Sequence, residues 1–98
     1  MTPPAGKDPV LFKLGRLVAT PGAISALAVA SEMPDGFLLR HQTGDWGDLS
    51  AADREANDRA VQDGGRILSA YFTSRGVKLW IITEADRSMT TILLPSEY

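Results

Sequence analysis

Length, composition and charge limit this chain to a few classes of protein. Its 98 residues are enough for one domain, and its apolar content of 44% is ordinary for a globular protein. The chain contains no cysteine, which excludes disulfide bonds, thiolate catalysis and sulfur-ligated zinc sites. Its net charge of −2 does not favour binding to a nucleic-acid backbone.

The first residues are rich in proline and carry no recognisable targeting signal. We predict a flexible tail over Met1–Phe12 and a single α+β domain over residues 13–98. We expect no signal peptide, because no basic segment precedes an apolar run. No segment approaches the ~18 apolar residues that a membrane helix requires. Together with the lack of cysteine, these features predict a cytoplasmic protein that does not enter a membrane.

The first half of the chain predicts one extended segment and two helices. The apolar run Val10–Ala19 is typical of a short strand or extended segment, because a glycine within it disfavours a helix. Thr20 is a good N-cap and Pro21 suits the first helical position, so a helix is expected from there to residue 30. A second short helix is predicted to begin at Pro34 and to end at Gly44.

A third helix is predicted from Ala51 to about Gln62. Ser50 followed by Asp53 resembles a capping box, and two glycines end the pattern. Alanines recur along this helix every fourth residue, which predicts a narrow stripe that packs closely on a sheet; they are Ala52, Ala56 and Ala60.

The rest of the chain predicts three antiparallel strands. Arg66–Phe72 and Val77–Thr83 flank a four-residue turn that would pair Phe72 with Val77, and Met89–Leu94 follows. That register puts one set of side chains on a common face: Ile67, Ser69, Tyr71, Lys78, Trp80 and Ile82. The predicted fold is α+β, with three short helices on a three-stranded antiparallel meander and room for a short extra N-terminal strand. Met89–Leu94 is expected at the sheet edge, where it could pair with a second copy in a homo-oligomer.

Several ordered strings resemble one family of proteins. They are GDWGDL at Gly44–Leu49, WIITEADRS at Trp80–Ser88, TTILLP at Thr90–Pro95 and LVATPGA at Leu17–Ala23. On these strings the chain resembles small bacterial proteins often labelled "plasmid-related", some of which carry a restriction–modification subunit label. The resemblance implies a context in plasmids and mobile DNA, and it supplies no catalytic residues. The methyltransferase label is not carried over, because this chain has neither a glycine-rich cofactor loop nor a catalytic proline–aromatic motif.

The single histidine has two interpretations, one chemical and one structural. His41, with Asp45 and Asp48 close in sequence, could form a metal site or an acid–base pair. A histidine in the last turn of a helix is also explained by the helix dipole and by capping. The two aspartates are typical turn residues, and Trp46 between them could anchor the loop or stack on a ligand. We predict neither a metal nor a cofactor, because the spacing matches no common metal site.

The loop between the last two strands concentrates polar side chains. Glu84 or Asp86 could act as a general base, and Arg87 could bind a phosphate or carboxylate. The same three side chains could instead pair with one another in a tight turn. On the sheet, Tyr71 and Trp80 would join Lys78 and Arg66, which is a pattern that binds single-stranded nucleic acid in several folds; helices could instead cover this face.

The middle of the chain is acidic. Between Gly44 and Asp63 lie six acidic and two basic residues, so one face of the third helix is expected to be negative. Asp53, Glu55 and Asp58 could bind a basic surface on another protein. We therefore predict a non-enzymatic protein-interaction or accessory module, with a protein as the partner and nucleic acid ranked lower.

The alternative is a small RNA-cleaving, toxin-like hydrolase or a nucleic-acid-binding protein. Compact proteins of that kind cut RNA with a few side chains and no cofactor, although they are usually basic. The candidate groups are His41, Arg66, Tyr71, Glu84 and Arg87.

Overall fold

The fold was described from a computed structural model over residues 9–98. Its elements in chain order are β1 (Arg16–Ala19), α1 (Pro21–Ala30), α2 (Asp35–Gln42), α3 (Ala51–Asp63), β2 (Ile67–Phe72), β3 (Lys78–Thr83), β4 (Met89–Leu93) and a final 3₁₀ turn (Pro95–Glu97). The predicted α+β class and the three helices are confirmed. Residues 1–8 of the predicted tail lie outside the described residues. Phe12, which the sequence places in that tail, is buried against Trp46.

The helices begin where local capping chemistry dictates. The Thr20 side chain accepts a hydrogen bond from the backbone N–H of Ala23, and the Ser50 side chain accepts one from that of Asp53. Helix α3 ends at Gly64, whose φ of 82° is left-handed and suits glycine. The prediction that Ala52, Ala56 and Ala60 form a packing stripe is wrong in part, because the buried residues of α3 are Asn57 and Ala60.

The sheet has four strands in the order β1-β4-β3-β2, so the three-stranded antiparallel meander is only part of it. Strands β2, β3 and β4 are antiparallel neighbours, and β1 adds to β4 in parallel. The β4 strand is therefore interior, and the prediction that it forms an open edge is wrong. Parallel pairing of β1 with β4 requires a long connection, which here consists of the three helices and two strands between them.

The register of the β2–β3 hairpin differs from the prediction by one residue. Phe72 pairs with Lys78 and not with Val77, because Thr73 and Val77 themselves close the turn. The Thr73 hydroxyl also accepts hydrogen bonds from the backbone N–H groups of Arg75 and Val77, which makes a five-residue loop stable. A one-residue shift moves every side chain of one strand to the other face.

The corrected register defines two faces. We call the inner face the one that contains Ile67, Ser69, Tyr71, Leu79, Ile81, Thr83, Thr90 and Ile92, and the outer face the one that contains Leu68, Ala70, Phe72, Lys78, Trp80, Ile82, Thr91 and Leu93. Helices α1 and α2 cover the inner face through a buried cluster that includes Ala23, Leu27 and Phe37. Tyr71 therefore faces the helices, opposite to Lys78 and Trp80.

Helix α3 lies along the free edge of β2. The Asn57 amide donates to the Leu68 carbonyl at 2.7 Å and its oxygen accepts from the Leu68 N–H at 3.2 Å. One step along, the Ala70 N–H donates to Trp46 and the Ala70 carbonyl accepts from Asp48. These contacts satisfy backbone groups that would otherwise be open at an edge strand, and they hold α3 beside the outer face.

Candidate functional site

A groove of about 370 Å³ runs between α3 and the outer face of the sheet. We call it the α3 groove. Its lining comprises Leu49, Asp53, Ala56, Asn57, Arg66, Leu68, Trp80, Ile82 and Tyr98. The lining is mostly apolar, with charged groups on opposite rims, and this combination is typical of binding sites.

The floor of the groove follows from the alternation of side chains in the sheet. Leu68 on β2 and Trp80 and Ile82 on β3 all point outward in the observed register. Asn57 fixes the height of α3 beside this floor through its two bonds to Leu68. The next residues on the groove side of the helix, Asp53 and Ala56, then form one wall.

The opposite wall comes from the end of the chain. The Tyr98 ring packs edge-on against Trp80, with ring centroids 5.7 Å apart. Arg66 donates to the Tyr98 hydroxyl at 2.7 Å, and its guanidinium lies 5.2 Å from the centre of the same ring. Glu84 lies 3.9 Å from the Arg66 guanidinium and offsets part of its charge. The half-buried Trp80 ring and the exposed Tyr98 ring are therefore held in place before any partner binds.

The groove carries an acidic bias on its helix side. Asp53 is exposed in the first turn of α3, where the helix dipole favours a carboxylate. Glu84 lies near the opposite rim, beside Arg66. Since Glu84 is paired with Arg66, the carboxylate available beside the apolar floor is that of Asp53, and it favours a ligand that combines apolar and basic groups.

Of the three acidic residues predicted to bind a partner, the structure brings only Asp53 to the groove lining. Glu55 is exposed about 160° around α3 from Asp53, on the solvent side, as expected for 3.6 residues per turn. Asp58 accepts a hydrogen bond from the Trp46 indole N–H at 3.0 Å. That bond helps to anchor Trp46, which is buried between Phe12 and His41 as a core side chain.

His41 lies in the core on the inner side of the sheet. Its Nδ1 is 2.5 Å from the Ser69 hydroxyl and its Nε2 is 2.9 Å from that of Thr83, and all three side chains are fully buried. Thr83 contacts the Thr90 hydroxyl at 2.7 Å, and Thr90 donates to the Leu14 carbonyl. The imidazole therefore does not cap the end of α2 and is not brought beside the carboxylates of Asp45 and Asp48.

Counting protons along this chain of bonds fixes the histidine tautomer. Each hydroxyl has one proton to donate, and that of Thr90 goes to a carbonyl. Thr83 must then donate to Thr90 and accept from Nε2–H of His41, which leaves Nδ1 to accept from Ser69. Burial, with a smaller contribution from the positive charge of Arg87, lowers the pKa of His41 to about 3. The neutral imidazole has both nitrogens satisfied, which describes a structural histidine.

The loop after β3 is built around Arg87. Its guanidinium donates to four backbone carbonyls, those of Ala60, Gly65, Glu84 and Ala85. Arg87 therefore joins the end of α3 to the loop and also lies over the ring of Phe12. Asp86 accepts from the Ser88 N–H at 2.9 Å, and its hydrogen bonds with Ser88 lower its pKa. The side chains of Glu84, Asp86 and Arg87 therefore do not pair with one another: the Glu84 carboxylate lies beside Arg66, that of Asp86 binds Ser88, and the Arg87 guanidinium binds backbone carbonyls.

Two residues of the predicted nucleic-acid surface, Tyr71 and Lys78, do not line the α3 groove. Tyr71 is buried on the inner face, where its hydroxyl donates to the Asp45 carbonyl and burial raises its pKa to about 12. Arg40 lies over the Tyr71 ring and pairs with Asp45, whose pKa this hydrogen bond lowers. Lys78 is on the outer face and lies 3.2 Å from Asp48. Of the predicted basic and aromatic set, Arg66 and Trp80 share the α3 groove.

Several groove residues were missed by the sequence reasoning. The predicted register already placed Ile82 beside Trp80, and Leu68 would have joined them on that face if the register had been correct. Asn57, a polar residue on the buried side of α3, was a usable signal for a bond to a strand edge. Nothing in the sequence indicates that Tyr98 returns to Trp80. Among residues 9–98, no cluster of three or more histidine, aspartate or glutamate side chains is placed to hold a metal ion, and no helix there is long and apolar enough to cross a membrane.

Comparisons with known proteins assign no function to this groove. No protein-family model matches the chain, and no similar curated protein or solved structure was found. The resemblance to plasmid-related proteins therefore stays a prediction. The function proposed below depends on the shape and charge of the groove.

Proposed function

We propose that this protein is a non-enzymatic interaction module that binds a segment of another protein in the α3 groove. The observation that carries the proposal is a preformed apolar surface, with Trp80 and Ile82 in the floor and Tyr98 in the wall, beside the Asp53 carboxylate on the rim. Tryptophan and tyrosine supply much of the binding energy at protein interfaces, because they bury large areas with little loss of side-chain freedom.

The chemistry of the partner follows from the charges. An apolar side chain would pack on Trp80 and Ile82, and a lysine or arginine beside it would face Asp53. The bound segment would carry both, one or a few residues apart. RNA or DNA is less well matched, because the acidic residues of α3 would repel a phosphate backbone. An accessory role in plasmid or mobile-element biology is supported only by the sequence resemblance.

The alternative of RNA cleavage has weaker support in the geometry. His41 is buried and fully hydrogen-bonded, and the Arg87 guanidinium is bound to backbone carbonyls. Glu84 and Arg66 are near each other at a groove rim, without the histidine. The groups named for cleavage are therefore distributed over separate parts of the fold.

The proposal is tested by capture of partners from nuclease-treated bacterial lysate with matched variants. Ala56→Arg would fill the groove from an exposed helical position that tolerates arginine. Gln62→Arg adds the same charge to the same helix about 120° away from Ala56, outside the groove. We expect a stoichiometric protein to be retained by the wild type and by Gln62→Arg and lost with Ala56→Arg. Equal capture by all three proteins, or partners that nuclease removes, would contradict the proposal.

The charge of the rim has its own matched pair. Asp53→Lys should weaken binding of the captured protein about tenfold or more, whereas Glu55→Lys on the solvent side of α3 should leave it nearly unchanged. Asp58 is unsuitable for charge reversal because it holds Trp46 in place. If both substitutions weaken binding equally, the attraction is a general effect of helix charge and not a property of the groove.

A further inference from the structure

The two edges of the sheet differ in whether their outward-pointing backbone groups are hydrogen-bonded. The edge at β2 is closed by Asn57 and by the Trp46–Asp48 segment, which bind its backbone at Leu68 and Ala70. At the other edge, alternate residues of β1 hydrogen-bond towards β4. The N–H groups of Arg16 and Thr20 donate to carbonyls on the β4 side at 3.0 Å.

Backbone groups alternate in direction along a strand, so those of Leu17 and Ala19 point to the open edge. Both residues are exposed, and Leu17 keeps 51% of its accessible surface. Within residues 9–98, no element covers these groups. An open edge with an exposed leucine is a template for another strand.

We propose that β1 pairs with β1 of a second copy of this chain in an antiparallel, two-fold symmetric dimer. Each β1 strand has four free backbone groups, the N–H and C=O of Leu17 and of Ala19. All four are paired only when Leu17 lies opposite Ala19 of the partner copy, which puts Val18 on the two-fold axis. The two four-stranded sheets would then form one eight-stranded sheet. A two-fold axis makes every contact occur twice.

Charge supports this occupant over a foreign strand. The same register puts Arg16 opposite Thr20 of the partner copy. Thr20 donates its hydroxyl proton to the Glu97 carboxylate, which puts a negative charge at the C-terminal end of β1. Arg16 puts a positive charge at the N-terminal end of the same strand. Arg16 and Thr20 are four residues apart on one strand and point to the same face. The dimer would therefore contain two Arg16–Glu97 contacts related by symmetry.

The interface is short, so we expect a dimer that depends on concentration. A four-residue strand buries less surface than the roughly 1,200–2,000 Å² of a standard stable interface. Sedimentation equilibrium of the full chain from micromolar to millimolar concentration should show the average mass rise from that of the monomer towards twice that value.

Two substitutions and one control test the geometry. Ala19→Pro removes an N–H that points to the open edge and leaves the bonds to β4 intact, and Arg16→Glu reverses the charge that faces Glu97. We expect each to raise the dimer dissociation constant at least tenfold. Arg75→Glu, the same charge reversal at an exposed position of the β2–β3 loop, should leave the constant unchanged. Circular dichroism and urea unfolding establish that each variant is folded.

A wild-type chain that stays monomeric up to millimolar concentration would overturn the proposal. So would a dimer that Ala19→Pro and Arg16→Glu leave intact. If the wild type is monomeric and the β1 substitutions instead reduce capture of a different protein, the open edge belongs to a foreign strand. These outcomes are independent of the α3 groove, because β1 and α3 lie at opposite edges of the sheet.

Discussion

Acidification should destabilise this protein through its one histidine well before its carboxylates titrate. The pKa of His41 is about 3 in the folded protein and 6.5 as a free side chain. The folded state therefore binds fewer protons than the unfolded state between these values, and stability falls as pH falls. Stability is constant above pH 6.5 for this group. Since pH 5 lies 1.5 units below the pKa of the free side chain, the free energy of unfolding should be about 2 kcal/mol lower there, at 1.36 kcal/mol per unit.

Such a loss is large for a protein of this size, since small domains are stable by about 5–15 kcal/mol. The pKa values of Asp45, Asp86 and Glu97 are also lowered, but their stabilisation is lost only as pH falls below the ordinary carboxylate range. The window from pH 7 to pH 5 therefore isolates the histidine.

Urea unfolding followed by tryptophan fluorescence at pH 7, 6 and 5 measures this effect. His41→Gln keeps a donor and an acceptor in the core and removes the titrating group. We expect it to be less stable than the wild type at pH 7 and to lose almost no further stability down to pH 5. A wild-type protein with constant stability over this range, or a variant with the same pH dependence, would refute the buried neutral histidine. The imidazole signals in NMR spectra give a direct check, since they should not titrate above pH 5.

Three further changes test how the groove and its surroundings are held. Gly47→Ala should lower the free energy of unfolding in urea by about 3–5 kcal/mol, because its Cβ would lie 1.9 Å from the Ala70 carbonyl oxygen. Gly64 has a similar positive φ with open space around it, so Gly64→Ala should lower the same quantity by only about 1–2 kcal/mol. Equal losses would show that the close approach at Gly47 is unimportant. Asn57→Ala should cost about 2 kcal/mol through two lost hydrogen bonds to Leu68, and no change would mean that β2 does not need this partner. Glu97→Gln should lower the Tm at neutral pH, because the Glu97 carboxylate accepts hydrogen bonds from Thr20, Gly22 and Leu94. The difference in Tm from the wild type should vanish as pH falls through the lowered pKa of Glu97. A difference that persists in acid would contradict this reasoning.

The helices could be predicted because their signals are local. Thr20 with Pro21, and Ser50 with Asp53, define helix starts through bonds that span three residues, and the structure confirms both. The hairpin register was missed because a four-residue and a five-residue turn differ only in whether Thr73 closes the loop with its own backbone and hydroxyl.

The sheet order and the groove could not be read from local patterns. The parallel pairing of β1 with β4 joins residues more than 70 positions apart, and nothing near Arg16 in sequence indicates it. The groove exists because Asn57 binds the edge of β2 and Tyr98 returns to Trp80, and each contact is set by tertiary packing. The acidic helix and the aromatic sheet face were both visible in the sequence, but not that Asp53 and Trp80 line one groove.

The binding function of the α3 groove is tested most directly by site-specific photo-crosslinking. A photoreactive phenylalanine analogue in place of Tyr98 would keep an aromatic ring in the lining of the groove, and the same group at position 62 would lie on α3 outside the groove. We expect irradiation in nuclease-treated lysate to give one discrete protein adduct from position 98 and none from position 62. No adduct at position 98, or the same adducts from both positions, would contradict a protein-binding groove.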